Sequence, residues 1–214
     1  LNFCMKKLFA AFAVLILIYS CTNEPVKQTY FTDANIYCKT VKELNEVVKF
    51  VGFAPIVASR NYTYANIAAY ECIAAGYPNE YSSFKNQQID YEFASLLAFC
   101  KLGEAVTFPE GSMKEYVAGL KDLAKKSGMP QSMFDNTLVF ADSVSKKVLA
   151  WSKKDNYAQT RSAPRYTVID TPGRWVPTPP AYASALEPHW DEIRTMVMDS
   201  ADQFIPPPPI PFNV

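Results

Sequence analysis

Ten of the chain's sixteen prolines fall between Pro172 and Pro211. Proline fixes φ, lacks a backbone N–H and breaks helices, so this part of the chain cannot be helical. It is too aromatic to be an idle linker. The run "GRWVPTPPAYASALEPHW" (Gly173 to Trp190) holds four prolines, two tryptophans and the only histidine, His189. The chain divides into a proline-poor body and a proline-rich tail.

The body has the means to fold. Hydrophobic residues make up 49% and charged residues 20% of the 214 positions, enough apolar surface for a core and too little charge for disorder. Basic and acidic residues balance at 21 each, with no basic stripe, so nucleic-acid binding has no electrostatic support.

Its pattern is helical throughout. From Thr40, Val41, Leu44, Val47, Val48 and Val51 share one face, and Thr40 with Glu43 predicts a capping box at the helix start. Pro55 opens and Gly76 closes a second helix, where Ile67, Ala68, Cys72 and Ala75 face a core. A third runs from about Ile89 to Leu102. A fourth begins at a Ser112/Glu115 capping box, carries a stripe of Met113, Tyr116, Val117, Leu120, Leu123 and Ala124, and ends before Gly128. The fifth spans about Gln131 to Lys153, with Phe134, Leu138, Ala141, Val144, Val148, Leu149 and Trp151 inward and the pairs Lys146/Lys147 and Lys153/Lys154 suited to the negative end of its dipole. "RYTVID" (Arg165 to Asp170) reads as a short extended piece. The expectation is an all-α bundle of about five helices over residues 38–160, followed by an extended Pro/aromatic strap over 161–214.

The N-terminus reads as an address. Lys6 and Lys7 follow Met5, and the uncharged run from Leu8 to Tyr19 is shorter than the about 20 residues of a membrane span; basic residues before a short apolar run mark a secretory signal. "IYSC" (Ile18 to Cys21) resembles the bacterial lipobox. By that resemblance Cys21 is the lipidation site and first mature residue, and the protein is held by a lipid on the bacterial envelope, at the periplasmic side or cell surface. The alternative is an ordinary signal followed by a plain cysteine; Tyr19 is an unusual occupant of a lipobox. Residues Leu1 to Cys4 precede the natural start at Met5 and read as a spurious leader, so residues 1–20 are leader plus signal. Residues 21–37 are a polar, unpatterned tether. Of the other cysteines, Cys38, Cys72 and Cys100 have no metal-like spacing; Cys72 and Cys100 read as small buried hydrophobes, with a disulfide between them as the alternative.

Catalytic constellations are sparse. One histidine excludes a multi-histidine metal site, and no glycine-rich phosphate loop is present. His189 is the single candidate base for the chain's serines, and its Pro/Trp setting favours a surface or packing role. Asp90, Glu92, Asp135 and Asp142 read as carboxylates on solvated helix faces.

Three stretches together resemble a known family: "SRNYTYANIAAYE" (Ser59 to Glu71), "VLAWSKKDNY" (Val148 to Tyr157) and "GRWVPTPPAYASALEPHWDEIRTMVMDSADQFIPPPP" (Gly173 to Pro209). In that order they resemble the N-terminal half of bacterial vanadium-dependent haloperoxidase-like proteins, of the phosphatidic acid phosphatase type 2 superfamily. Asn156 stands where that family commonly has glycine; asparagine tolerates the left-handed conformation, so the turn survives. The resemblance implies that the proline-rich run is an extended strap leading toward catalytic helices, with Trp175, Tyr182 and Trp190 as apolar anchors. The family's signature is Lys-x6-Arg-Pro, Ser-Gly-His and Arg-x5-His, which bind the oxyanion oxygens of vanadate or phosphate and supply a histidine to vanadium or phosphorus. This sequence has Lys154 and Arg161 at the first spacing, but Ser162 follows instead of proline, and the other two motifs are absent.

No catalytic, cofactor-binding or metal-binding residue is therefore carried over. The expectation is an exported lipoprotein corresponding to the N-terminal half of a haloperoxidase or acid phosphatase, inactive alone, with vanadate or phosphate bound only by a complete family member and a separate or missing C-terminal catalytic half as partner. The alternative is a non-catalytic envelope lipoprotein that uses the Pro/aromatic strap as a binding surface.

Overall fold

The computed structural model describes residues 30–74, 82–84, 86–207 and 210. The signal region and Cys21 lie outside them. The described residues form six α-helices and no strand: α1 Ala34–Val51, α2 Pro55–Ala74, α3 Tyr91–Thr107, α4 Lys114–Lys126, α5 Gln131–Ser152 and the single turn α6 Tyr157–Thr160. Short 3₁₀ turns occur at Ser82–Phe84 and Trp190–Glu192. None of the described helices is long and apolar enough to cross a membrane.

The bundle is built around α3, whose sequence "YEFASLLAFCKLGEAVT" is apolar on nearly every side, as a central helix must be. Phe93, Ala94, Leu96 to Cys100 and Leu102 are all buried. Helices α1, α2 and α5 pack on it. The small residues Ala65, Ala68, Ala69 and Cys72 of α2 are shut from water. On α1, Thr40, Leu44 and Val48 form the buried stripe. Gly103 lets α1 approach closely: a Cβ at this position would lie 2.8 Å from Leu44 Cδ2.

Two helix starts differ from the sequence reading. α1 begins at Ala34, capped by Asp33, whose side chain accepts from Asn35 N–H at 2.9 Å; residues 34–37, read as tether, are its first turn. The Thr40/Glu43 pair is no capping box: Thr40 is buried, and its Oγ1 donates to Ile36 O and lies 2.9 Å from Tyr116 Oη on α4. α4 is capped from outside as well. Glu104 reaches across from α3, its two carboxylate oxygens accepting from Gly111 N–H (2.9 Å) and Met113 N–H (3.0 Å). Ser112, read as that cap, makes no cap bond, and its buried Oγ has no partner. In both places a carboxylate with longer reach or freer geometry takes the open N–H groups.

The end of α4 follows the expectation. Gly128 has φ +84°, Met129 N–H donates to Ala124 O and Gly128 N–H to Lys125 O, a Schellman closure. α5 stops at Ser152, so Lys146 and Lys147 lie above its last turn; Lys146 pairs with Asp142 at 2.6 Å. Cys72 and Cys100 are both free and buried. Burial raises the Cys100 thiol pKa to about 12 and pushes Cys72 up as well.

Candidate functional site

The polar chemistry of the fold gathers where α2, the end of α5 and the C-terminal segment meet. α2 places Arg60 and Tyr64 one turn apart on one face. α5 ends at Ser152, and the chain turns through Asn156 at φ 73° and ψ 1°, the left-handed geometry foreseen for it. That turn buries Asp155, 1% exposed.

Asp155 is saturated with donors. Its Oδ2 accepts from Arg60 Nε at 2.7 Å and from Tyr64 Oη at 2.9 Å, and Oδ1 accepts from Tyr157 N–H at 3.0 Å. Arg60 Nη2 also lies 2.7 Å from Oδ2, with the two side chains 8% and 1% exposed. Burial works to raise the Asp155 pKa. The hydrogen bonds from Arg60, Tyr157 N–H and Tyr64, with the Arg60 charge, outweigh it and hold the carboxyl below its ordinary value. The Tyr64 hydroxyl is pushed up to about 12 by burial, then by its bond to Asp155 and that residue's charge, against opposing effects of Arg194 and Arg60.

Arg194, 130 residues from Tyr64 in sequence, closes the cluster. Its Nη2 donates to Tyr64 Oη at 2.8 Å and its backbone N–H to Asp155 O at 2.9 Å. The guanidinium lies 3.8 Å over the Trp151 ring, and Trp151 meets Tyr64 edge-on at 5.4 Å. Arg60 in turn sits 4.3 Å over the Tyr157 ring. Arg194 Nε and Asn61 Nδ2 are buried here without a partner. The arrangement fastens the C-terminal segment to the bundle. Asp155 is neither basic nor open enough to take a proton from a substrate, and Arg60 is neutralised by it.

His189 lies in a second contact within the segment. Its Nδ1 is 2.8 Å from Glu192 Oε1 and its Nε2 is 2.8 Å from Pro164 O. The Pro164 carbonyl bond, the Glu192 bond and the nearby acidic charges raise its pKa. Facing an acceptor at each nitrogen, the ring satisfies both only as the imidazolium, which has no lone pair to offer as a base or ligand.

The other residues singled out by sequence disperse. Lys154 is exposed, and Arg161 forms an ion pair with Glu187, so the Lys-x6-Arg spacing brings no shared site together. Asp90 is not solvated: it is 1% exposed and caps α3, Oδ1 accepting from Phe93 N–H at 2.8 Å and Oδ2 from Tyr30 N–H at 2.7 Å. Asp142 lies between Lys101 and Lys146. Of the three expected anchors, Trp190 rests edge-on against Tyr157 at 6.2 Å. Trp175 pairs with Tyr166 within the segment and remains 48% exposed, and Tyr182 is 64% exposed. Buried Ile193 and half-buried Arg194 do the anchoring instead. No group of three or more metal-ligating side chains occurs among the described residues.

Neither a protein-family model nor a curated protein matches the chain. Among solved structures it is similar to the first bacterial vanadium-dependent iodoperoxidase, with 32% sequence identity and a TM-score of 0.72. The match covers 83% of this chain and 46% of the iodoperoxidase, so the chain spans less than half of that protein's length. In fold and in sequence, the chain is the counterpart of part of a vanadium-dependent haloperoxidase-like protein.

Proposed function

We propose that this polypeptide is the helical scaffold of an exported haloperoxidase- or acid-phosphatase-type enzyme, held on the bacterial envelope by a lipid at Cys21, and that the oxyanion is held by residues other than those described here. The observation that carries this reading is the similarity over 83% of this chain but 46% of the iodoperoxidase. The described side chains do not fit vanadate or phosphate. Such an anion needs several unneutralised donors and an imidazole lone pair converging on one point. Arg60 is neutralised by Asp155 and Arg161 by Glu187, Arg194 is a single guanidinium committed to Tyr64 Oη and the Trp151 ring, and both His189 nitrogens face acceptors.

The surface of the C-terminal segment supports a packing role. Val197 is 94% and Phe204 75% exposed, with Met196, Met198 and Ile205 also open. Apolar side chains clustered like this mark an interaction surface.

The test is to purify residues 21–214 and assay iodide oxidation with peroxide and vanadate, and hydrolysis of p-nitrophenyl phosphate. No turnover is expected from this polypeptide alone. Turnover is expected once a polypeptide carrying Lys-x6-Arg-Pro, Ser-Gly-His and Arg-x5-His is co-expressed. Robust turnover without that addition sinks the reading.

A second reading, a non-catalytic envelope lipoprotein, draws on one feature. A hollow of about 600 Å³ is lined by Tyr166, Trp175, Pro179, Pro180, Leu186 and Pro188, an aromatic–proline surface able to hold an apolar ligand. Failure of the co-expressed motifs to restore turnover would favour it.

A further inference from the structure

The contact at His189 has an unusual restriction: both of its partners are acceptors. Pro164 O is a carbonyl oxygen and carries no hydrogen, so Nε2 must donate to it. Glu192 presents a carboxylate to Nδ1 at 2.8 Å. A neutral imidazole has one N–H and one lone pair. In either tautomer it makes one of these bonds and turns a lone pair on the other oxygen. Only the imidazolium makes both.

The surroundings reinforce that choice. The charged groups facing the ring are acidic, Glu192 in contact and Asp191 beside it. The other ion pair linking the same two stretches of chain, Arg161 with Glu187, is internally neutral and brings no free cation toward the ring.

The position gives the bond leverage. Pro164 and His189 lie 25 residues apart and form the neck of a loop whose interior is the hollow lined by Tyr166, Trp175, Pro179, Pro180 and Pro188. Glu192 also passes the contact on to the bundle, because its backbone carbonyl accepts from Asn156 Nδ2 at 3.1 Å. Asn156 follows the buried Asp155.

We propose that His189 is a proton-dependent latch: as an imidazolium it holds both Pro164 O and Glu192 at the neck of the 164–189 loop, and on losing its proton it gives up one of the two bonds and the neck loosens. The direction follows from linkage. A group that gains acceptor partners in the folded state binds its proton more tightly there, so both bonds are made below the ordinary histidine value of 6.5 and one of them is lost as pH rises through the higher folded-state value.

The presence of one histidine makes the test clean. The imidazole of the full chain is titrated by NMR while limited proteolysis of the 164–189 loop is followed across the same pH range. The ring is expected to titrate above 6.5, with loop cleavage about tenfold faster on the alkaline side, the size of one lost hydrogen bond to a charged group. Both curves should share one midpoint. Glu192→Gln should move that midpoint down toward 6.5. His189→Gln should cleave at the fast rate at every pH, with far-UV circular dichroism reporting an intact bundle. Titration at or below 6.5, or a loop whose cleavage ignores the midpoint, overturns the latch.

Discussion

Phe99 and Asp155 are both shut away from water, yet they hold different parts of the molecule by different forces. Phe99 lies in α3 among apolar neighbours, with Tyr37 edge-on at 5.7 Å. What stabilises it is removal of apolar surface from water, which is non-directional and indifferent to pH. Asp155 lies where the C-terminal segment meets the bundle, and it is stabilised by donors aimed at two oxygens. Burying that carboxylate has a large desolvation cost, offset only while every donor stays in place. The bundle core therefore depends on close packing, and the segment's attachment on donors aimed at fixed oxygens.

A pair of variants breaks the two apart. Asp155→Ala leaves Arg60 buried with no counter-charge and is expected to cost about 3–5 kcal/mol. Phe99→Ala leaves a cavity and is expected to cost about the same, 3–5 kcal/mol. Their acid profiles should differ. Because the folded-state pKa of Asp155 is depressed, its contribution is complete above its ordinary value of 3.8 and is lost as pH falls through the lower folded value. Urea unfolding at a series of pH values should show the wild-type acid loss preserved in Phe99→Ala and reduced in Asp155→Ala. Parallel acid slopes in all three proteins would mean that the carboxylate does not bind as described.

The same contrast explains what could be read from sequence. Apolar stripes repeat within a few residues, so Leu44, Val48, Leu120, Ala124, Val144 and Val148 were legible as core positions, and all are buried. α3 was legible as a helix, and its being apolar on nearly every side is the sequence mark of its central place. The attachment was illegible, because Arg60 and Asp155 are 95 residues apart and Tyr64 and Arg194 are 130 apart. No local pattern marks such pairs. The one available signal was Asn156, whose tolerance of the left-handed conformation marks a turn beside Asp155. The capping errors have a similar origin: Thr40/Glu43 and Ser112/Glu115 match the local motif, but Asp33 and the distant Glu104 made better bonds.

Gly103 sharpens the comparison on the core side. Its missing Cβ is what allows Leu44, fully buried, to pack against α3. In an open helix Gly→Ala stabilises, by up to about 1 kcal/mol. Here the added methyl meets Leu44 Cδ2 at 2.8 Å, and overpacking of this kind costs about 1–3 kcal/mol. Gly103→Ala is expected to destabilise, and Gly103→Ala with Leu44→Val to recover part of the loss. Chemical denaturation reads both. A stabilised single variant would mean that α1 can move aside, and that the core is looser here than the 2.8 Å approach implies.

Asn156 carries the smallest expected effect and probes the attachment most finely. A non-glycine residue in the left-handed region costs about 1–2 kcal/mol, and Asn156 offsets part of this by donating to Glu192 O at 3.1 Å, worth about 0.5–1.5 kcal/mol. Glycine removes the backbone cost and the hydrogen bond together, and it gives the unfolded chain more freedom to lose. These changes nearly cancel, so Asn156→Gly should lie within about 0.5 kcal/mol of wild type. Alanine keeps the backbone cost and loses the bond, so Asn156→Ala should cost about 0.5–1.5 kcal/mol. Thermal unfolding separates the two. If glycine proves as costly as alanine, the hydrogen bond to Glu192 outweighs the turn geometry, and the segment is fastened from its own side rather than by the conformation at the end of α5.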